Sequence, residues 1–154
     1  MVTTIRQQIV TQLDTLFKTI KTTAGYNLNL GNNVHWWRDA PFQTSELPGL
    51  LCRDTDDVIV RAIGQHEHLL TIEAVALLES SDSGATVRQA AADIVKALGT
   101  NVPPASCLGG YAEDINPPDS EVIEVQHEGI KGYGVALKFQ VVYCTAPFDP
   151  YTQA

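Results

Sequence analysis

The sequence predicts an α+β fold, a mainly antiparallel sheet of about four to five strands with two helices packed on one face. Two segments repeat apolar residues at helical spacing. Near the C-terminal end, Tyr133, Val135, Leu137, Phe139, Val141 and Tyr143 alternate with Gly134, Ala136, Lys138, Gln140, Val142 and Cys144, the pattern of a long strand with one strongly apolar face. The length of 154 residues suits a single domain, 1–154, around one core.

The first helix is expected from Thr4 to about Lys21, where Ile5, Ile9, Leu13, Leu16 and Ile20 recur at steps of three and four. Thr4 followed by Gln7 suits a capping box. Thr11, Thr15 and Thr19 lower helix propensity, so this helix needs a surface to dock on. A polar connection over 27–33 leads to a short strand, Val34 to Arg38, which Pro41 ends. Leu50 to Asp54 reads as a second strand running into an acidic turn, Asp54-Thr55-Asp56-Asp57. His68 to Leu78 reads as a third, long strand: Leu70, Ile72, Ala74, Ala76 and Leu78 form an apolar row, and Leu69, Thr71, Glu73, Val75 and Leu77 a mixed one.

Ser81-Asp82-Ser83-Gly84 is expected to open a second helix that runs through Leu98, with Val87, Ala91, Ile94, Val95 and Leu98 on its stripe and Gly99 at its end. Residues 101–120 hold several prolines and the Gly109-Gly110 pair, and read as a long irregular loop. A hairpin follows, with strands Glu121 to His127 and Gly132 to Thr145 joined around Glu128-Gly129-Ile130-Lys131. There is no internal repeat.

Charge narrows the function. The formal net charge is -8, and no window clusters Lys and Arg, so direct nucleic-acid binding and attraction to an anionic membrane are both disfavoured. Cys52, Cys107 and Cys144 stand far apart with no C-x-x-C pair, and they read as reduced, buried, inert thiols of a protein made in a cytoplasm.

The common nucleotide-binding, hydrolase and zinc-protease motifs are absent. His66 and His68, two apart on a strand, project to one side and suit a metal if His35, His127, a cysteine or a carboxylate joins them; a polar strand end at the solvent edge is the plainer reading. Asp54, Asp56 and Asp57 lack the spacing of a calcium loop and read as a solvated turn. Trp36 and Trp37 should point to opposite faces of their strand, one toward the core and the other toward a helix or an interface. The expectation is a protein without catalytic residues, cofactor or metal.

Several stretches resemble the tail terminator proteins of long-tailed bacteriophages and prophages, the lambda-type minor tail proteins. They are Ile5 to Val10, Glu46 to Asp54, Val87 to Ile94 and the ending Leu137 to Tyr151, in an order of elements that spans nearly the whole chain. The resemblance implies a subunit of a hexameric ring that stops tail-tube growth and offers a surface to a head-side connector. Its partners would be further copies of itself, the tail tube protein and that connector. It would be made in the host cytoplasm and end in the virion tail. An acidic ring can pass DNA without holding it. Candidate contact residues are Trp36, Asp54, Asp56, Asp57, Glu73 and Val75. The alternatives are another head-to-tail connector or tail-completion protein, a small metal-dependent enzyme built on His66 and His68, and a host binding module.

Overall fold

The computed structural model describes residues 1–79, 82–102, 106–127 and 130–154, with 126, 127, 130 and 131 by backbone alone. Over these described residues the fold is α+β: two α-helices and a seven-stranded mixed sheet. In chain order the elements are α1 (Ile5–Phe17), β1 (Val34–Trp36), β2 (Gly49–Arg61), β3 (His66–Leu77), α2 (Gly84–Gly99), β4 (Asp114–Ile115), β5 (Asp119–His127), β6 (Ile130–Ala146) and β7 (Asp149–Gln153). The sheet runs β1-β2-β3-β6, and the far side of β6 pairs in turn with β5, β4 and β7.

This sheet has more strands than expected and is not purely antiparallel. β1 lies parallel to β2, because the chain loops from Trp36 back to Gly49 and sets out again in the same direction. The loop over 101–120 contains β4, which pairs with Val141 and Val142, and a short turn that buries Cys107 and Leu108. β7 folds back onto the end of β6 after a turn in which Phe148 takes a positive φ of 56°.

α1 forms for the expected reasons. Thr4 caps it by accepting the Gln7 N–H at 3.1 Å, and Ile5, Ile9, Leu13 and Leu16 are buried. Thr11 and Thr15 return their hydroxyls to the carbonyls four residues back, which satisfies both groups without leaving the helix. The helix ends at Phe17. Beyond it the chain passes so close to itself that a Cβ on Gly31 would sit 2.5 Å from the Lys18 carbonyl oxygen.

α2 buries Val87, Ala90, Asp93, Ile94, Ala97 and Leu98. Its inward stripe is therefore rotated from the expected one, and Val95 faces outward. The cause is Asp93, whose carboxylate accepts the backbone N–H groups of Asn27 and Leu28 and the Asn27 side-chain amide. A buried carboxylate with that many donors fixes the rotation of the helix on the sheet. Ser81 and the hairpin tip at Glu128-Gly129 lie outside the described residues.

Both helices cover one face of the sheet, where Leu50, Cys52, Leu70, Ile72, Ala74, Leu137, Phe139 and Val141 join their apolar stripes in a single core. The register sets the rows of the other face: Leu51 with Val75 and Ala136, then Arg53 with Glu73 and Lys138. These residues are half-buried or exposed, because no helix lies over them. No helix among the described residues is long and apolar enough to cross a membrane.

Candidate functional site

The acidic segment expected to be a turn is the middle of a strand. β2 continues through it to Arg61, and a bulge between Asp54 and Asp57 places two residues, Thr55 and Asp56, against Thr71 alone. Asp54 pairs with Ile72 and Asp57 with Leu70, so the extra residue puts both carboxylates on the helix side of the sheet. Asp56 is exposed and lines a separate cavity with Thr71, Lys138 and Gln140 on the open face. The three aspartates do not form one group.

Asp54 and Asp57 meet a set of donors drawn from four elements or connections. Arg6 of α1 lies 2.6 Å from Asp54 and 3.8 Å from Asp57. The Trp37 indole N–H donates to Asp54 at 2.7 Å. His68 Nδ1 lies 2.9 Å from Asp57 Oδ1, and the Tyr143 hydroxyl donates to Asp57 Oδ2. His68 Nε2 lies 3.1 Å from Thr145 Oγ1. The His68 and Tyr143 rings stack with centroids 4.4 Å apart and planes inclined by 17°. Register explains the convergence: His68 faces Tyr143 and His66 faces Thr145 across β3 and β6, all on the helix side. Burial, reinforced by the bond to Asp57, pushes the Tyr143 hydroxyl above the ordinary tyrosine range.

A cavity of about 220 Å³ opens beside this network, lined by Ile59, His66, His68, Thr145, Phe148, Asp149 and Pro150. The exposed Phe148 ring meets the buried His66 ring edge-on at 4.8 Å.

The remaining candidate residues take different places. Trp36 packs against the core, and its indole nitrogen is buried without a hydrogen-bond partner. Trp37 lies outside β1 because its φ of 55° breaks the strand, and it is the exposed tryptophan, at 59%. The surface residue of this pair is therefore Trp37 and not Trp36. Glu73 and Val75 sit half-buried on the open face, where Glu73 holds Arg53 at 2.7 Å and Lys138 at 4.0 Å.

Both ring nitrogens of His68 are engaged by Asp57 and Thr145. Among the described residues, the one group of three convergent metal-type donors contains neither histidine: it is Glu67, Glu113 and Cys144, within 4.8 Å of one another. The side chain of His127 lies outside the described residues. Cys52, Cys107 and Cys144 are free and buried, and burial raises all three thiols, Cys107 and Cys144 to about 11.

The network itself escapes sequence reasoning. Arg6, Trp37, Asp57, His68, Tyr143 and Thr145 share no spacing, and only the bulge, for which no glycine gives a signal, brings the carboxylates to one side. No protein-family model matches the chain, and no curated protein matches it.

Proposed function

We propose that the chain is a structural subunit of a ring, and that the ring is the tail terminator of a long-tailed phage or prophage. The observation that carries this reading is the pair of unlike free margins on the sheet. Among the described residues, β2 beyond Cys52 pairs with β3 alone, and β5 pairs with β6 alone. The two margins differ in sequence, so margin-to-margin contact between copies is heterologous and closes into a ring when the rotation suits.

The side chains agree with this use. Val58, Ile59 and Val60 on the β2 margin are 55%, 47% and 49% exposed, and Val122 and Tyr133 are exposed on β5 and β6. Contiguous apolar exposure on a strand is costly in an isolated molecule and is relieved by a neighbour. The β2 margin also carries Arg53 and Arg61, and the β5 margin carries exposed Asp119 and Glu121, which favours one pairing over others. The tail tube protein and a head-side connector are the further partners this reading implies, and the net charge of -8 suits a ring through which DNA passes.

The test is mass in solution by light scattering, alone and with tail tubes present. A ring in either condition is the expected result, with Val60→Lys giving a folded monomer and abnormally long tails in an assembly assay. A protein monomeric in both conditions, or tails of normal length with Val60→Lys, overturns it.

A further inference from the structure

We propose that Asp57, His68 and Thr145 form a general-base relay that lets the Thr145 hydroxyl attack a carboxylic ester with a short apolar acyl group. The three side chains stand in line: carboxylate to Nδ1 at 2.9 Å, Nε2 to hydroxyl at 3.1 Å. The carboxylate accepts the Nδ1 proton and so fixes the tautomer in which Nε2 is the acceptor. The Thr145 hydroxyl then donates to Nε2, which is the arrangement a base-activated alcohol requires.

The surroundings hold this geometry in place. Tyr143 stacks on the imidazole and also donates to Asp57, so neither ring nor carboxylate turns freely. Arg6, 3.8 Å from Asp57, anchors the carboxylate from the α1 side. His68 and Thr145 both line the cavity of about 220 Å³ beside the network, and Ile59, Phe148 and Pro150 make its wall apolar. That lining selects a short acyl chain over a charged or bulky one. His66, directly opposite Thr145 in the ladder and on the same wall, is the residue placed to donate to the developing oxyanion.

The reaction balances without another reagent than water. Thr145 Oγ1 bonds to the ester carbonyl carbon while its proton passes to His68 Nε2. The tetrahedral centre collapses, the alcohol leaves with that proton, and the acyl group stays on Thr145. Water, deprotonated by His68, then attacks the acyl carbon, and the carboxylic acid leaves as Thr145 regains its proton. All three residues belong to one subunit, so the chemistry does not depend on ring formation.

The experiment uses the full chain and p-nitrophenyl butyrate, with nitrophenolate release followed by absorbance and the acylated residue mapped by mass spectrometry. The expected result is a butyryl group on Thr145 and release faster than with an equal concentration of free imidazole. Thr145→Val and His68→Gln should lower the rate at least about 100-fold. Thr145→Ser, which keeps the hydroxyl and removes the hindering methyl group, should raise it. Asp57 positions His68 without touching the ester, and Asp57→Asn should change the pH profile of the rate, because an amide donates to Nδ1 and holds the wrong tautomer. Acyl groups only on lysines, no adduct at all, or a folded Thr145→Val with the wild-type rate overturns the proposal. If Thr145→Val does not fold, the adduct position in the wild-type chain and the rate of Thr145→Ser decide it.

Discussion

The Tyr143 hydroxyl donates to Asp57 Oδ2, tying the end of the longest strand to the bulge of β2 across 86 positions of sequence. Removing the hydroxyl in Tyr143→Phe leaves a half-buried carboxylate short of one donor, which costs about 1–3 kcal/mol in chemical denaturation. Burial holds the folded-state value of Tyr143 above its ordinary 10.0, so the unfolded chain loses this proton first. Stability from the group is intact below pH 10.0 and falls as the pH rises beyond it. Tyr143→Phe should flatten that alkaline loss; an unchanged alkaline slope would show that the hydroxyl titrates freely.

Leu137→Ala and Phe139→Ala should each destabilise the fold by about 2–5 kcal/mol, since both side chains are fully buried in the core. Lys138 between them faces the open side with its side chain 63% exposed, and Lys138→Ala should leave the melting temperature nearly unchanged. Equal shifts for all three would contradict the placement of the helices on one face only.

Arg38 grips Glu46 through two hydrogen bonds of 2.8 and 2.9 Å, and the Gln43 backbone N–H adds a third at 2.7 Å. The bond to Arg38 is the main reason the Glu46 carboxyl falls to about 2, with the Gln43 bond second. Its contribution to stability is present above the ordinary value of 4.5 and disappears as the pH drops through about 2. A carbon-detected NMR titration should find the Glu46 midpoint near 2, and Arg38→Ala should return it toward 4.5. A normal midpoint in the wild-type chain would mean that the loop before β2 is not held this way in solution.

Val75 lies half-buried on the uncovered face beside Leu51 and Ala136, so an arginine there has solvent to enter. Val75→Arg should therefore keep helical content and unfolding temperature by circular dichroism, while blocking assembly if a neighbouring copy covers that face. A collapsed monomer would mark the position as core, and a folded variant that still terminates tails at normal length would leave the subunit contact on the β2 and β5 margins alone.

What could be foreseen follows from which signals are local. The steps of three and four in α1 and the alternation in β6 each lie within one segment, and both elements form as that pattern dictates. Aspartate is rare in strands and Asp54-Thr55-Asp56-Asp57 mimics a turn, which hides the length of β2; Arg6, Trp37, His68 and Tyr143, none of them near in sequence, satisfy the carboxylates and let the strand continue. Asp93 had no visible partner, since its donors lie 65 and 66 positions away. Nothing in two adjacent indoles signals the left-handed backbone at Trp37, which is what turns it to the surface.

In the ring proposed above, the margins of the sheet would also govern how growth stops. A row of copies joined β2 to β5 always keeps one bare strand of each kind at its ends, however many copies it holds. Only a closed circle has no ends left, so the number of copies is fixed by the angle between neighbours and not by affinity. The bulge at Asp54 to Asp57 lies on that margin and bends it. If the proposed ring forms, lengthening or deleting the bulge would change the angle and turn a circle that finishes itself into a helical fibre that does not.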